Sequence, residues 1–205
     1  PFDWTPDANL EQFGSTCQGT ALLSSDMDVR LSFQQFAVKD PERQLRYLNA
    51  LAAAPGVDFE STGVIKANLP LLRLRFRGRL DVDVSMGEDM TGGAYADRAV
   101  RTLLASSADG GAGRFVRMIK MFARAQGFID AYGGYLNSSS WVFLAICFLQ
   151  TESCLASYEA LRRKAVPGSF WSARPSAGLL LRFFAFVERL GAASHTVCVE
   201  RGRVW

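Results

Sequence analysis

The sequence is short of the residues on which several kinds of chemistry depend. It has one histidine, His195, and four cysteines, none of which form a C-x-x-C pair. Histidine-rich metal sites, zinc knuckles and C-x-x-C redox motifs are therefore not indicated, and a Ser/His nucleophile is disfavoured. The cysteines are expected to be small, buried hydrophobic residues in a reducing compartment. Any catalytic chemistry has to depend on carboxylates.

The sequence also lacks a strong charge imbalance and a long apolar segment. Its 23 Lys and Arg against 20 Asp and Glu give a net charge of +3, which alone does not indicate a nucleic-acid partner. The longest apolar run, residues 141–149, is shorter than the roughly 20 residues that a membrane-spanning helix needs. This run is predicted to be a core helix, and no membrane association is expected. The first residues show no signal-peptide or transit-peptide pattern.

The hydrophobic content of 49% in 205 residues is enough for one substantial core, or for two small lobes that share a cleft. Apolar and polar residues alternate in three segments that are predicted to be strands, namely residues 8–13, 27–33 and 71–86, the last with a hairpin turn at Gly78. Helical spacing predicts helices over residues 41–54, 114–126, 139–164 and 177–190, and residues 196–199 are predicted to be a short last strand.

A segment rich in Gly, Ala and Ser, residues 106–113, is predicted to be a loop between a strand-rich half and a helical half. The predicted fold class is therefore α+β, with a small sheet beside a helical lobe. The predicted boundary between the two lobes falls between residues 105 and 106.

Two aspartates lie two positions apart after a turn of small residues. Asp26 and Asp28 follow the Gly14-Ser15 turn, and the strand period of two places both carboxylates on one face. Asp83, on the polar face of a separate strand, is a third candidate ligand if the two strands are neighbours. Such oxygen ligands suit Mg²⁺ or Mn²⁺ better than zinc. A D-x-D pair alone is weak, because alternating acids are common on exposed strands.

Taken together, these residues resemble the signature of template-independent RNA nucleotidyltransferases of the DNA polymerase β superfamily, which include terminal uridylyltransferases and non-standard poly(A) polymerases. The similar stretches are Phe13-Gly14-Ser15-Thr16, Gly19, Ser25-Asp26-Met27-Asp28 and Asp83-Val84-Ser85. The resemblance implies a polymerase β-like lobe over residues 1–105 and a helical poly(A)-polymerase-associated lobe over residues 106–205. It further implies that Asp26, Asp28 and Asp83 are catalytic and hold two Mg²⁺ or Mn²⁺ ions.

The resemblance continues into the helical half, where it implies further nucleotide-binding residues. In the segment Ile119-Lys120-Met121-Phe122-Ala123-Arg124, the residues that match triphosphate contacts are Lys120 and Arg124. Gly14, Ser15 and Ser138 match phosphate contacts, and Ser139 follows in the segment beneath the base. From the residues alone, Arg117, Lys120 and Arg124 share one helical face, and a solvated basic face is the alternative interpretation.

Two positions differ from the family pattern. Ser139 stands where the family usually has a tyrosine that stacks on the nucleobase, and Tyr135 or Trp141 are the candidate substitutes. Trp141 opens an apolar helix and is expected to belong to the core. The asparagine that contacts the nucleotide sugar is also missing near residues 92–96, where Tyr95 is the nearest candidate. The metal ligands are thus retained while the base pocket is altered.

Three functions agree with this pattern. The first is addition of nucleotides to an RNA 3′ end, with UTP favoured over ATP because the resemblance is to compact uridylyltransferases of kinetoplastid mitochondria, which also implies a mitochondrial location. The second is an inactive structural subunit of a ribonucleoprotein or assembly complex. Its exposed arginines, Arg73, Arg75, Arg77 and Arg79, would then bind RNA phosphates or an acidic protein partner. The third is a small-molecule nucleotidyltransferase, which would not share the helical resemblance.

Overall fold

The structure, a computed structural model, describes residues 8–33, 40–53, 58–66, 69–87, 93–107, 109–130, 133–166, 172–191 and 195–205. The chain divides into two compact units, Pro1–Asp97 and Arg98–Trp205. The fold is α+β, as predicted from the sequence. In the described part of the chain, no helix is long and apolar enough to cross a membrane.

The first unit is built on a five-stranded mixed sheet. Its strands are β1 (Ala8–Phe13), β2 (Met27–Phe33), β3 (Phe59–Ile65), β4 (Leu71–Phe76) and β5 (Leu80–Met86), in the order β1-β2-β5-β4-β3. β2 and β5 are parallel, and the other neighbours are antiparallel. The predicted strands over residues 8–13 and 27–33 are confirmed, as is the hairpin within residues 71–86, where Gly78 has a φ of 65°.

The edge strand β3 is absent from the sequence prediction. Its residues are mostly exposed and do not alternate, and the register shifts at a bulge between Ser61 and Gly63. Two helices of this region are absent from the prediction as well, namely α1 (Ser15–Gln18) and α3 (Gly93–Ala105). α1 is a single turn, too short to show a helical period, and α3 begins with Gly and Ala residues that resemble a loop.

The core of the first unit lies on one face of the sheet. Leu31, Leu72 and Val84 are buried there, together with Leu48 of α2 (Pro41–Ala53). α2 begins after Asp40, whose carboxylate accepts the backbone N–H groups of residues 42 and 43 at 3.3 and 3.1 Å. Because side chains alternate along a strand, the residues between these apolar ones project from the opposite face of the sheet.

The second unit is a helical cluster with a short hairpin. Its elements, after the C-terminal part of α3, are α4 (Gly111–Ala125), α5 (Ser138–Thr151), α6 (Tyr158–Arg162), α7 (Ala177–Gly191), β6 (Val197–Cys198) and β7 (Arg203–Val204). Three fully buried rings, Phe115, Phe148 and Phe183, lie 5.5 to 5.9 Å apart and join α4, α5 and α7. Such aromatic pairs stabilise a core beyond the area that they bury.

The structure confirms two of the helices that were predicted in this unit and corrects a third. The helices predicted over residues 114–126 and 177–190 correspond to α4 and α7. The single helix predicted over residues 139–164 is wrong, because α5 ends at Thr151 and α6 starts after Ser157, whose side chain caps it. Ser153, between them, has a φ of 56°, which a right-handed helix does not allow. The predicted loop over residues 106–113 ends earlier, since α4 begins at Gly111.

The two compact units meet in sequence between Asp97 and Arg98, inside α3. The predicted lobes, residues 1–105 and 106–205, divide the chain at the end of that helix. The assignment of those two lobes to a nucleotidyltransferase domain and a poly(A)-polymerase-associated domain stays a prediction.

All four cysteines are free thiols. Cys147 and Cys154 are buried, and burial raises the pKa of the Cys147 thiol to about 11 and also raises that of Cys154. The expected hydrophobic role is therefore confirmed for these two. Cys17 and Cys198 are only half-buried.

The start of α4 is packed too closely for a side chain at Gly111. A Cβ there would lie 2.8 Å from the backbone nitrogen of Arg174 and 2.9 Å from the carbonyl carbon of Ala173. Asp109 holds this contact together, because its carboxylate accepts from the Gly111 N–H at 2.8 Å, and from the Ser172 hydroxyl and Arg174 Nε at 3.0 Å each. These hydrogen bonds, that of Gly111 first, hold the pKa of Asp109 well below its usual value.

Gly111→Ala is expected to lower the free energy of unfolding by about 1–3 kcal/mol, because backbone atoms have to move apart. Gly113→Ala, in the same helix, is the matched control, since its Cβ would meet only Arg117 Nη1 at 3.6 Å. That substitution should raise stability by about 0.5–1 kcal/mol through helix propensity. Urea unfolding followed by circular dichroism measures both, and equal effects of the two substitutions would contradict the packing at Gly111.

Candidate functional site

Two of the three predicted aspartates are direct neighbours in the sheet. β2 and β5 run parallel, and their register pairs Asp28 with Asp83, so the two side chains project from the same face. Asp83 is buried, at 8% exposure, while Asp28 is half-buried. Asp26 lies exposed just before β2 begins. The sequence condition for a shared site, that the two strands be neighbours, is therefore met.

Asp83 has a strong cationic partner on the next strand. Arg73 of β4 pairs with Asp83 in the sheet register and donates two hydrogen bonds to it, Nε to Oδ1 at 2.8 Å and Nη2 to Oδ2 at 2.6 Å. The pKa of Arg73 is raised by this hydrogen bond first, and further by the charges of Asp83, Asp26 and Asp81. Arg73 is therefore charged at every relevant pH, and Asp26 is close enough to interact with it.

Two further arginines are paired in the same way. Arg75 donates to Asp81 at 2.7 and 3.3 Å, and Arg77 donates to Asp58 at 3.0 and 3.4 Å. The pKa of Asp81 is lowered by its hydrogen bond from Arg75. Under the structural-subunit hypothesis, these arginines were expected to bind RNA or an acidic partner. Three of the four instead donate to aspartates of the first unit.

The turn that precedes the aspartates lies directly against one of them. Gly14 has a φ of 70° and precedes α1, and a Cβ on it would overlap Oδ2 of Asp28. Both the backbone conformation and the close approach require glycine at this position. Gly14 and Asp28, which the sequence brings together only by resemblance, are therefore in contact in the first unit.

Asp97 is an additional residue of this region that the sequence analysis missed. It lies in α3 at 7% exposure and accepts the Gly14 N–H at 2.7 Å and the Gln18 side-chain amide at 2.8 Å. The only sign of Asp97 in the sequence is that an acidic residue occurs after the third aspartate, near the place where an asparagine was expected. Nothing in the sequence indicates that it contacts a turn 83 residues earlier.

The predicted nucleotide-binding residues of the helical half lie in the second unit. Lys120 of α4 is only 3% exposed, whereas Arg124 is exposed. The alternative interpretation of a solvated basic face is therefore wrong for Lys120, which is packed among the buried residues of the helix. A buried ammonium group is costly unless it is compensated.

Ser138 and Ser139 form the first turn of α5. The side chain of Asn137 caps this helix by accepting the Ser140 N–H at 2.8 Å. Ser138 is half-buried and Ser139 is exposed. The hydroxyl of Ser139 offers no aromatic surface, so a base that lies here requires another stacking partner.

Two aromatic residues were candidates for that partner. Trp141 is 7% exposed and donates its indole N–H to the carbonyl of Phe128 at 3.1 Å, so the expectation that it belongs to the core is confirmed. Tyr135 is 54% exposed, with its ring 5.9 Å from that of Phe128. Tyr135 therefore stays a candidate. Tyr95, the candidate for the sugar contact, is 42% exposed on α3.

The donor chemistry of Asp28 and Asp83 fits a hard divalent cation, because both offer carboxylate oxygens on one face of the sheet. Each oxygen of Asp83 that accepts from Arg73 retains further lone-pair sites. Among the described residues, however, no three His, Cys, Asp or Glu side chains are gathered closely enough to form a metal cluster. The metal site of Asp26, Asp28 and Asp83 therefore stays a prediction.

Comparison with known proteins agrees with this geometry. Residues 3–92, which include the Gly14 turn and all three aspartates, match the family described as "Poly(A) RNA polymerase, mitochondrial-like, central palm domain". Residues 3–92 are thus similar to the palm domain of polymerase β-like, non-standard poly(A) and poly(U) polymerases. The family resemblance inferred from the sequence is thus confirmed.

Two curated members of the family are similar over most of this chain. Poly(A) RNA polymerase protein 1 of Eremothecium gossypii is 28% identical over 149 residues, which is 72% of this chain and 23% of that protein. Poly(A) RNA polymerase CID14 of Cryptococcus neoformans is 23% identical over 155 residues, which is 75% of this chain and 20% of that protein. The chain therefore spans less than a quarter of the length of these relatives.

Solved structures show the same fold along nearly the whole chain. The structure of mtPAP in complex with UTP has a TM-score of 0.73 at 17% identity and covers 98% of this chain and 51% of that one. Terminal uridylyl transferase 4 from Trypanosoma brucei with bound UTP and UMP has a TM-score of 0.69 at 13% identity, covering 98% and 69%. At these identities the likeness concerns the fold.

Proposed function

We propose that the chain adds nucleotides from a nucleoside triphosphate to the 3′ end of RNA without a template, with UTP favoured over ATP. The observation that supports this most is the contact geometry of the first unit. Asp28 and Asp83 are register partners on one face of the sheet, and Gly14 lies against Asp28. Three residues of the proposed signature, Gly14, Asp28 and Asp83, are far apart in the sequence and are neighbours in the first unit.

In this proposal, Asp26, Asp28 and Asp83 hold Mg²⁺ or Mn²⁺. The bound ions would favour ionisation of the attacking 3′-hydroxyl and neutralise the charge of the triphosphate. Arg73 keeps the Asp83 carboxylate in one orientation through its two hydrogen bonds. The Gly14-Ser15 turn offers a hydroxyl and backbone N–H groups to phosphate oxygens, beside the Asp28 carboxylate.

Residues of the second unit are assigned to the triphosphate and to the base. Lys120 and Arg124 neutralise phosphate charge, and the Ser138 hydroxyl donates to a phosphate oxygen. Ser139 lies next to the base, and Tyr135, which is 54% exposed, is the proposed stacking partner. The preference for UTP rests on the resemblance to uridylyltransferases.

Extension of a labelled single-stranded RNA tests the proposal. Purified chain is incubated with Mg²⁺ or Mn²⁺ and each of the four nucleoside triphosphates separately, and products are separated by size. We expect extension that requires the metal and is fastest with UTP. Extension that is fastest with ATP would overturn only the base preference. Absence of extension from folded protein with every nucleotide would overturn the catalytic proposal.

A structural subunit of a ribonucleoprotein or assembly complex is the second candidate function. It is favoured by the ion pair that already occupies Asp83, and by the lack of a metal cluster among the residues that the structure describes. GLD-2, a protein of similar fold, forms complexes with RNP-8 and with GLD-3. In this case the chain would bind protein or RNA partners without turnover, and the extension assay separates the two candidates.

The ion pair between Arg73 and Asp83 leads to a specific prediction for metal affinity. Arg73→Gln removes a positive charge next to a proposed ligand, so Mn²⁺ should bind about two- to tenfold more tightly at low salt, and less so at high salt. Arg75→Gln is the matched control. Arg75 makes the same type of ion pair with Asp81, at the next position along the same face of β4 and β5. Titration calorimetry measures both, and weaker binding after Arg73→Gln would show that the guanidinium organises the site instead.

A further inference from the structure

Asp97 is a buried carboxylate whose hydrogen bonds are directed at the signature turn. Its two oxygens have different partners: Oδ2 accepts the backbone N–H of Gly14 at 2.7 Å, and Oδ1 accepts from Nε2 of Gln18 at 2.8 Å. Asp97 is only 7% exposed, so its carboxylate is largely shielded from solvent. Both ends of the α1 turn are thereby bound to one side chain of α3.

The partners of Asp97 belong to a continuous buried network. Gln18 is 6% exposed and accepts the Thr20 hydroxyl on Oε1 at 3.1 Å. Thr20 is fully buried and lies 3.4 Å from the Ser15 carbonyl oxygen. In a network of this kind every donor has an acceptor, and removal of one member leaves the others unpaired at a substantial cost.

Gly14, which donates to Asp97, lies directly against the proposed metal ligand Asp28. Gly14 adopts a φ of 70°, and the space beside its Cα is filled by Asp28. The hydrogen bond from Gly14 to Asp97 fixes the peptide between Phe13 and Gly14, which leads into the turn. A shift of this peptide changes the distance of the turn from Asp28.

We infer that Asp97 is a positioning residue, which holds Gly14 against Asp28 and thereby sets the geometry of the nucleotide site. In this inference Asp97 acts through the turn, from which both of its oxygens accept hydrogen bonds. The inference deepens the proposed function and rests on it for the identity of the ligand. The contact of Asp97 with the turn is tested independently of that function.

Two substitutions separate the hydrogen bonds of Asp97 from its charge. Asp97→Ala removes both acceptors. Asp97→Asn retains both contacts, because its oxygen can accept the Gly14 N–H while its amide donates to Oε1 of a rotated Gln18 side chain. The Gln18 amide then donates to the Thr20 hydroxyl, so no polar group is left unpaired. Asp40→Ala is the control, since Asp40 is an exposed carboxylate that accepts backbone N–H groups at the start of α2.

Hydrogen exchange of the Gly14 amide, followed by NMR on the full chain, is the first readout. In Asp97→Ala the exchange should become roughly ten- to a hundredfold faster, since a hydrogen bond to a charged group is lost. Asp97→Asn and Asp40→Ala should leave it within about threefold of the wild type. If Asp97→Ala does not fold, Asp97→Ser replaces it, because its short hydroxyl cannot reach both partners.

Binding of magnesium tripolyphosphate and the KM for UTP are the second readouts. Asp97→Ala should raise the tripolyphosphate Kd and the KM by about tenfold with an unchanged fold, and Asp97→Asn should restore both. Unchanged exchange of Gly14 in Asp97→Ala would overturn the inference. Faster exchange with unchanged tripolyphosphate binding would also overturn it, by leaving Asp97 a purely structural role. If Asp97→Ala changes Gly14 exchange and tripolyphosphate binding as expected, but the wild-type chain never extends RNA, only the proposed polymerisation is contradicted.

Discussion

Replacement of Asp83 by asparagine is expected to slow nucleotide addition by about a thousandfold, because loss of a metal ligand removes several kcal/mol of transition-state stabilisation. The same replacement at Asp81 should leave the rate within about twofold of the wild type. The two aspartates lie two residues apart on β5 and share a face, and each accepts two hydrogen bonds from an arginine of β4. They differ in that only Asp83 is the register partner of Asp28.

This pair of variants separates catalysis from the loss of an ion pair. Each substitution removes one carboxylate charge and leaves one arginine without its charged partner. Asp83 is buried and the side chain of Asp81 is 42% exposed, so Asp83→Asn is expected to cost more stability than Asp81→Asn. Single-turnover extension of RNA gives the rates, and thermal unfolding confirms that both variants fold. A comparable loss of rate in both variants would mean that the arginine and aspartate ladder, and not the Asp28 and Asp83 pair, accounts for the activity.

Gly14→Ala is expected to lower the rate of nucleotide addition by at least about a hundredfold. The added methyl group would overlap Oδ2 of Asp28, so either the turn or the carboxylate has to move, and a displacement of 1 Å at a catalytic group can cost about that factor. With φ 70° and ψ −147°, Gly14 also lies in a backbone region that is essentially restricted to glycine, which adds strain of about 1–3 kcal/mol for any residue with a Cβ. The change therefore affects both the site and stability.

Gly19→Ala is a control for a positive φ without the overlap, although its left-handed conformation (φ 73°, ψ 22°) is less strained than that of Gly14. Gly19 ends the same short helix with a φ of 73°, and nothing lies within 4 Å of the position of its Cβ. This substitution should reduce the free energy of unfolding by about 1–2 kcal/mol but leave the rate and the KM unchanged. Chemical unfolding and steady-state kinetics on both variants make the comparison. An active Gly14→Ala variant would show that the contact with Asp28 has no role in turnover.

Much of the sheet could be predicted from the sequence because its strands are buried on one face. In β4 and β5, apolar residues alternate with Arg and Asp, and this pattern indicates both the strands and the side on which the carboxylates lie. β3 has no such signal, because it is an exposed edge strand with a bulge. The break between α5 and α6 also escaped prediction, since one serine with positive φ interrupts an otherwise helical pattern.

The candidate site shows what depends on tertiary contacts. Asp26, Asp28 and Asp83 were found through their spacing and the resemblance that it supports, but their relation to one another needed the parallel pairing of β2 with β5. Asp97 could not be found, since it acts on a turn that is remote in the sequence. The engagement of Arg73 with Asp83 was missed for the same reason, because strand alternation shows a face but not a partner.

Binding of Mn²⁺ to the purified chain, measured by electron paramagnetic resonance with a non-hydrolysable UTP analogue, tests the proposed metal site most directly. We expect the wild type and Asp81→Asn to bind about two ions, and Asp28→Asn and Asp83→Asn to bind them much more weakly. This result does not depend on turnover or on the identity of the RNA. Wild-type chain that binds the analogue without Mn²⁺, or equal Mn²⁺ binding by all four proteins, would contradict a metal site at Asp28 and Asp83.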